Sequence, residues 1–134
     1  MLEMSSSAEI AALRVLKHPN IVELLHVCRH KGKLALVFEV ADLDLQRFLR
    51  TRARPLAGVT SMGIAGQVAA GISYIHDMHW MHRDLKPSNI LVRFVDAPGF
   101  SPPNMLFQIA DFGSAKELFA GVGRGRNLII FCGQ

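Results

Sequence analysis

The apolar residues near the start of the chain follow a helical period. Ile10, Leu13 and Leu16 recur every three residues, which places them along one side of a helix predicted over residues 5–17. Pro19 follows closely. Proline lacks the N–H that a helix interior needs, so the helix is predicted to end before it.

Beyond this helix, the spacing of apolar residues alternates between strand and helix patterns. Short apolar runs bounded by polar turns predict strands, and longer runs with apolar residues on one side predict helices. Prolines and a glycine in residues 95–104 predict a loop, and no internal repeat or linker divides the chain. The predicted elements are strands at 21–27 and 33–40 with a polar turn between them, helices at 45–49 and 59–76, and strands at 90–94 and 106–109.

The segment over residues 55–76 contains no charged side chain and is long enough to cross a bilayer. It also contains four glycines and the polar residues Thr60, Ser61, Gln67 and Ser73, so few of its side chains are strongly apolar. We therefore interpret it as a helix buried inside a soluble protein, and we expect no membrane association.

Composition and charge narrow the class of protein. The 134 residues suit one modest domain, and half of them are apolar, which permits a hydrophobic core. The net charge of +4 fits an anionic ligand such as a nucleotide but does not require nucleic acid. Cys28 and Cys132 are far apart and residues 1–7 are too polar for a secretory signal. We expect an intracellular protein, in the cytoplasm, the nucleus or both.

Two short motifs carry the candidate chemistry. Residues 82–89 read His-Arg-Asp-Leu-Lys-Pro-Ser-Asn, and residues 111–113 read Asp-Phe-Gly. Transfer of a phosphoryl group needs carboxylate and amide oxygens as hard ligands for a divalent metal. It also needs a second carboxylate that aims the attacking hydroxyl and a cation that meets the charge on the phosphoryl group. The two motifs contain all of these groups.

The two motifs, in this order and with strands between them, resemble those of Ser/Thr protein kinases. The resemblance runs from about residue 5 to residue 116 and is greatest to cyclin-dependent kinases and the related CMGC group. It implies an α+β, two-lobed protein kinase-like fold. It also implies transfer of the ATP γ-phosphate to a serine or threonine hydroxyl of a protein substrate.

The resemblance assigns a role to each polar residue of the motifs. Asp84 is implied to be the catalytic base that receives the substrate hydroxyl, and Lys86 to steady the γ-phosphate. Asn89 and Asp111 are implied to hold Mg2+. Arg83 is implied to pair with a phosphorylated activation loop.

A second set of residues is implied to bind ATP. Phe38 corresponds to the gatekeeper residue of kinases, and the backbone at Glu39 and Ala41 is implied to meet the adenine edge. Asp44 is expected near the ribose, and Leu91 is expected to pack beneath the adenine.

Glu9 has two interpretations. The resemblance places it as the glutamate that pairs with the lysine that holds ATP. Alternatively, Ser6 and Glu9 have the spacing of a capping box at the start of the first helix. Both interpretations stay open at this point.

Two further clusters also have alternative interpretations. Histidines at positions 76, 79 and 82 recur every three residues, which suggests a zinc site. The resemblance instead places the last of them in a stack of apolar residues that links the two lobes, namely Leu13, Leu24, His82 and Phe112. Four arginines, Arg47, Arg50, Arg52 and Arg54, form either a solvated face or a surface for an acidic partner.

The chain also departs from the kinase pattern. No glycine-rich loop or strand lysine precedes Glu9, and no Ala-Pro-Glu follows residue 113. We expect a partial kinase domain over residues 1–134, with a small-lobe remnant at 1–41 and the start of the large lobe at 42–134. The alternative is a catalytically dead, pseudokinase-like binding module or a truncated gene product.

Two expectations follow from these departures. A cyclin-like activator is the regulatory partner that the resemblance implies, but residues 4–8 lack the isoleucine and arginine with which such kinases contact it. In addition, the strand at 33–40 should lack its lysine-bearing neighbour. We expect its edge at residues 34–38 to be open and prone to self-association.

Overall fold

The computed structural model describes residues 2–4, 7–95 and 105–118, which form an α+β fold. The strands of each sheet run antiparallel to their neighbours. The strands are β1 (Leu2–Met4), β2 (Leu24–His30), β3 (Lys33–Phe38), β4 (Leu43–Asp44), β5 (Trp80–Met81), β6 (Ile90–Phe94), β7 (Met105–Ile109) and β8 (Lys116–Glu117). The helices are α1 (Ser7–Val15), α2 (Leu45–Arg50) and α3 (Gly58–Asp77), with a 3-10 turn at Pro87–Asn89.

The first sheet has the strand order β1-β3-β2. A tight turn joins β2 to β3, and Lys31 and Gly32 have φ angles of 49° and 78°. Two successive positive φ angles match the right-handed twist of a hairpin, which explains the turn at these residues. Val27 lies opposite Leu36. Leu36 belongs to the larger of two buried apolar clusters in the described residues, and Val27 packs against it. This cluster includes residues of α1 and is called the main core below.

The pairing of β1 contradicts the expectation of an open edge on β3. Met4, Glu3 and Leu2 lie opposite Ala35, Leu36 and Val37, respectively. The first residues of the chain therefore occupy the neighbouring position that was expected to be empty. The sequence pattern did not reveal this strand because three residues are too few to show a period.

The second sheet has the order β4-β6-β7. Val92 of β6 and Phe107 of β7 lie opposite each other and are buried with Phe48 of α2 and Ile64 of α3. Both predicted strands of this sheet are confirmed, although β7 begins one residue earlier, at Met105.

Residues 20–22 bridge the two sheets, which corrects the strand predicted at 21–27. The N–H of Ile109 donates to the carbonyl oxygen of Asn20 at 2.8 Å, and Val22 donates to the carbonyl of Ile109 at 3.0 Å. Because these groups bond to β7, the hairpin strand β2 begins only at Leu24. Gly71 of α3 lies directly against this junction, where an added Cβ would be 2.9 Å from the Asn20 carbonyl oxygen.

Helix α3 matches the prediction for residues 59–76, but it is buried along one side alone. Its buried residues are Ile64, Gly71 and Ile75, whereas Val59 and Met62 are 82% and 75% exposed. The expectation of a fully buried helix is therefore wrong for the described part of the chain. Among the described residues, no helix combines the length and apolar character that a bilayer crossing requires.

Candidate catalytic site

The loop that follows β5 starts with a buried histidine, His82. Its Nδ1 accepts a hydrogen bond from the main-chain N–H of Asp84 at 3.3 Å, and its Nε2 lies 2.8 Å from the carbonyl oxygen of Ala110. An acceptor at Nδ1 places the proton of the neutral ring on Nε2, which therefore donates to Ala110. Both ring nitrogens are engaged, so this arrangement does not fit the zinc alternative.

The rings of His82 and Phe112 meet edge-on, with centroids 4.9 Å apart. Phe112 and Leu13 are both fully buried in the main core, and Leu24 packs against that core. The structure thus brings together the four residues of the predicted stack. Across the described residues, no group of three or more potential ligands from histidine, cysteine, aspartate and glutamate is placed to hold a metal.

Asp84 is the centre of the polar site. Its Oδ2 accepts a hydrogen bond from Lys86 Nζ at 2.9 Å and a second from Asn89 Nδ2 at 3.1 Å. The hydrogen bond and charge of Lys86 lower the pKa of the Asp84 carboxyl, and the bond from Asn89 acts in the same direction. Asp84 is therefore an ionised acceptor at neutral pH.

Lys86 forms the other half of this pair. Its hydrogen bond to Asp84 raises the pKa of the Lys86 ammonium, and the negative charge of Asp111 raises it further. The ammonium is half exposed, so it holds its charge while facing solvent. The site thus places a cation in contact with the Asp84 carboxylate and within electrostatic range of the Asp111 carboxylate.

Asn89 ends the 3-10 turn and is buried. Its side-chain nitrogen donates to the main-chain carbonyl oxygen of Asp84 at 2.9 Å as well as to the Asp84 carboxylate. These two bonds fix the orientation of the amide. The side-chain oxygen, Oδ1, accepts no hydrogen bond from a described residue.

Asp111 reaches the same site through the backbone. Ala110 donates its N–H to the carbonyl oxygen of Asn89 at 2.9 Å, which sets the two chain segments side by side. Asp111 has a φ of 60°, a left-handed conformation that only a small fraction of non-glycine residues adopt. Its Oδ1 accepts a hydrogen bond from the N–H of Gly113 at 3.2 Å. Such strained residues cluster at functional sites.

Arg83 also has a left-handed backbone, with a φ of 68°. Its Nε donates to the carbonyl oxygen of Ser114 at 2.6 Å, so it contacts the segment after Asp-Phe-Gly. The small β5–β8 sheet joins the same two segments, because Met81 lies opposite Lys116. Arg83 therefore links the loop that follows β5 to the segment that follows Asp-Phe-Gly.

The residues expected to bind ATP are spread over the end of the first sheet, the segment that follows it and the second sheet. Phe38 is buried at the end of β3, and Leu91 is half-buried against the main core. Ala41 is half-buried in the connecting segment. Asp44 caps α2, because its Oδ1 accepts a hydrogen bond from the N–H of Arg47 at 2.8 Å.

Glu9, the remaining residue of this set, is 5% exposed within α1. Burial of a carboxylate is costly unless it has a polar or charged partner. Ser6, its proposed capping partner, lies outside the described residues. The choice between the two interpretations of Glu9 therefore stays open.

Sequence reasoning missed two residues that hold the connecting segment. Arg93 of β6 forms an ion pair with Glu39. Asp42 accepts a hydrogen bond at Oδ2 from the N–H of Phe94 at 2.8 Å. The one available signal was a single charged residue, Arg93, within the otherwise apolar run of residues 90–94. A lone charge in such a strand commonly marks a specific partner.

Comparisons with known proteins agree with this geometry. A family model described as the protein kinase domain matches residues 2–128. Cell division control protein 2 homolog 3 of Trypanosoma brucei brucei is 41% identical over 108 residues, which cover 81% of this chain and 32% of that protein.

Two other relatives match a comparable stretch. Cyclin-dependent kinase D-1 of Arabidopsis thaliana is 33% identical over 123 residues, or 92% of this chain and 28% of that protein. Cell division control protein 2 homolog 2 of Trypanosoma brucei brucei is 37% identical over 108 residues, or 81% of this chain and 29% of that protein. The chain thus spans about a third of the length of the curated relatives it matches.

Proposed function

This chain belongs to the protein kinase family, and we propose that it carries the catalytic loop of an enzyme that phosphorylates serine or threonine in proteins. The proposed reaction moves the γ-phosphate of ATP to a substrate hydroxyl. The observation that carries the proposal is the hydrogen-bonded set of Asp84, Lys86 and Asn89, with Asp111 held beside it through Ala110.

Asp84 is proposed to orient the attacking hydroxyl. Its pKa is lowered, so the carboxylate stays ionised and accepts the hydrogen bond of a serine or threonine hydroxyl. A low pKa also makes it a weak base, which suits orientation of the nucleophile and late acceptance of its proton. Lys86 would offset the charge on the transferred group, since its ammonium is held next to Asp84.

The residues present fit a magnesium ion with a nucleotide. Asn89 Oδ1 accepts no hydrogen bond from a described residue, and Oδ2 of Asp111 is likewise available beside the bond that Gly113 makes to Oδ1. Amide and carboxylate oxygens are the ligands that Mg2+ favours. When bound, Mg-ATP supplies the transferable phosphoryl group and the positive charge that stabilises it. Asn89 and Asp111 would hold the metal.

The nucleotide base would lie between the two sheets. We propose that Phe38 borders the base, that the backbone at Glu39 and Ala41 hydrogen-bonds its edge, and that Leu91 packs beneath it. The burial of Phe38 and the packing of Leu91 against the main core support this placement. Asp44 could meet the ribose through the oxygen that does not cap α2. Glu9 is proposed to act from α1 as the partner of a phosphate-holding lysine.

The proposal divides residues 1–41 from residues 42–134 as parts of a small and a large lobe. The first sheet lies within residues 2–38, and the second lies within residues 43–109. This separation of the sheets supports the division. By analogy with the relatives named for cell division control and cyclin dependence, a cyclin-like activator is a proposed partner.

One observation favours a second candidate function, a catalytically inactive binding module. Strand β1 pairs with β3 at the position expected for the lysine-bearing strand, and its residues Leu2–Met4 include no lysine. Catalytic groups act as a unit, so loss of one contact reduces the effect of the others. We therefore expect the 134-residue chain to show no measurable transfer by itself.

The test is transfer of labelled phosphate from Mg-ATP to a generic basic protein. The 134-residue chain is compared with its Asp84→Asn variant at equal concentration. Equal, background-level signals would support the inactive module for these residues. Transfer clearly above the Asp84→Asn variant would support an active kinase site and reject the binding module.

A further inference from the structure

Four arginines lie together at the end of α2 and in the loop that follows it. We refer to Arg47, Arg50, Arg52 and Arg54 as the arginine patch, and all four are exposed. Helix α2 packs against the 3-10 turn Pro87–Asn89, which carries the buried Asn89. The arginine patch therefore lies on, and directly after, a helix that contacts the turn carrying Asn89.

The arginines of the patch are not needed to complete the helix. Basic residues near a helix C-terminus commonly bond its last carbonyl groups. Here the Thr51 hydroxyl donates to the carbonyl oxygens of Arg47 and Phe48, at 3.1 Å each, and the Thr51 N–H donates to Arg47 at 3.0 Å. A threonine thus caps the helix, and the guanidinium groups have no such structural role.

The nearby acids are also engaged elsewhere. Glu39 pairs with Arg93, Asp42 accepts from the Phe94 N–H, and Asp44 accepts from the Arg47 main-chain N–H. Within the described residues, no arginine of the patch forms an ion pair with an acidic side chain. The patch therefore presents uncompensated positive charge.

One arginine of the patch is fixed in position by the core. The guanidinium of Arg52 lies 5.2 Å from the centroid of the Phe48 ring, which gives a cation–π contact. Phe48 is buried and meets Phe107 edge-on, at 6.3 Å between centroids. The patch is thus partly preorganised, which reduces the entropy lost when it binds a partner.

We propose that the arginine patch binds an acidic segment of the protein substrate, rich in aspartate, glutamate or phosphorylated residues. Guanidinium groups bind carboxylates and phosphates through paired hydrogen bonds, and among the described residues no acidic side chain pairs with this patch. This inference rests on the proposed kinase function, because it assigns the patch to substrate recognition beside the catalytic loop.

The arginine patch is less suited to binding nucleic acid than to binding an acidic peptide. Single-stranded nucleic acid binds to basic surfaces that also offer exposed aromatic rings for base stacking. The aromatic residue of this surface, Phe48, is buried beneath Arg52. A protein segment needs no such ring, so the observations favour an acidic peptide.

The test measures binding without catalysis. A fluorescein-labelled peptide of alternating glutamate and alanine is titrated with the 134-residue chain, and fluorescence anisotropy reports its affinity. Arg47→Gln combined with Arg50→Gln should weaken binding by roughly fivefold or more, since each exposed ion pair contributes a small amount. Arg52 is kept because its contact with Phe48 could affect folding.

The matched control removes the same charge elsewhere. Arg14 and Arg29 are exposed on α1 and β2, so Arg14→Gln combined with Arg29→Gln should change the affinity by less than about twofold. Circular dichroism checks that both double variants keep their secondary structure. A peptide with glutamine in place of glutamate should not bind.

Three outcomes would overturn the proposal. These are no binding by the unaltered chain, equal losses in the two double variants, or tighter binding of a single-stranded oligonucleotide of equal charge. Because the measurement uses no ATP, absence of phosphate transfer leaves it unaffected.

Discussion

Asn89 donates from a single amide nitrogen to two oxygens of Asp84, the main-chain carbonyl at 2.9 Å and the carboxylate at 3.1 Å. The first bond holds the loop backbone, and the second orients the carboxylate toward Lys86. One buried residue therefore holds the Asp84 carboxylate in place, while its own side-chain oxygen accepts no hydrogen bond from a described residue.

Replacement of Asn89 by alanine should destabilise the chain. The variant loses both bonds to Asp84 and leaves a partly buried carbonyl without its donor, which costs about 1–3 kcal/mol in free energy of unfolding. Urea unfolding followed by circular dichroism gives this value. Ser88→Ala, at the exposed neighbouring position, should change stability little. Equal losses in the two variants would contradict the role assigned to the Asn89 amide.

Replacement of Lys86 by methionine should raise the pKa of Asp84 toward its ordinary value of about 3.9, because the main cause of the lowered pKa is removed. Carbon-13 NMR of the Asp84 carboxyl across an acid titration measures the change. Lys116→Met removes an exposed cation on β8 and should leave that titration unchanged. An unchanged Asp84 titration in Lys86→Met would exclude this ion pair in solution.

The ion pair between Asp84 and Lys86 also predicts how the stability of the folded chain depends on pH. The lowered pKa of Asp84 stabilises the folded chain above pH about 3.9, and this contribution is lost as pH falls through the folded-state pKa. The raised pKa of Lys86 contributes below pH about 10.4, and its contribution is lost as pH rises through the folded-state pKa. The difference in stability between the unaltered chain and Lys86→Met should therefore shrink at both extremes.

Replacement of Asp111 by alanine should abolish any thermal stabilisation by Mg-ATP. Ligand binding to the folded chain raises its apparent stability, and Asp111 is one of two proposed metal ligands. Differential scanning fluorimetry with Mg-ATP, and with excess EDTA, measures the effect. Asp77→Ala, an exposed acid at the end of α3, should keep the stabilisation. An equal shift in Asp111→Ala would reject the proposed metal site.

Two glycines of α3 should respond oppositely to alanine. At Gly71, the added Cβ would lie 2.9 Å from both the Asn20 carbonyl oxygen and Ile109 Cδ1, so Gly71→Ala should cost about 1–3 kcal/mol. At Gly66, no atom lies within 4 Å of that position, so Gly66→Ala should stabilise the helix by roughly 0.5–1 kcal/mol. Urea unfolding compares the two, and destabilisation by both would contradict this account of the junction.

Local spacing accounts for much of the fold. A helical period predicted α1, and the lengths of the apolar or uncharged runs predicted α3, β6 and β7 to within a few residues. The catalytic groups were likewise visible, since phosphoryl transfer restricts which side chains occupy the loop at 82–89. The specific roles of Asp84, Lys86, Asn89 and Asp111 in the reaction came from the family resemblance, and they are still proposals.

Contacts between distant segments were not predictable from local spacing. Arg93 meets Glu39 across 54 positions, and Asn20 bonds to the Phe107 carbonyl across 87. Asp44, expected near a ribose, caps a helix, because its position before Leu45 allows its carboxylate to reach the Arg47 N–H. A period describes which side of an element is buried, but it carries no information about which distant group lies there.

The edge of β3 illustrates the physical reason. Its apolar pattern correctly predicted a strand, and resemblance to kinases led us to expect that one edge would be open. The backbone N–H and C=O groups of such an edge accept any nearby extended segment, largely regardless of side chain. Leu2–Met4 takes that position through antiparallel pairing with Ala35–Val37. The residue types thus determined that β3 is an apolar strand. Which segment pairs with its edge depended on the three-dimensional position of β1.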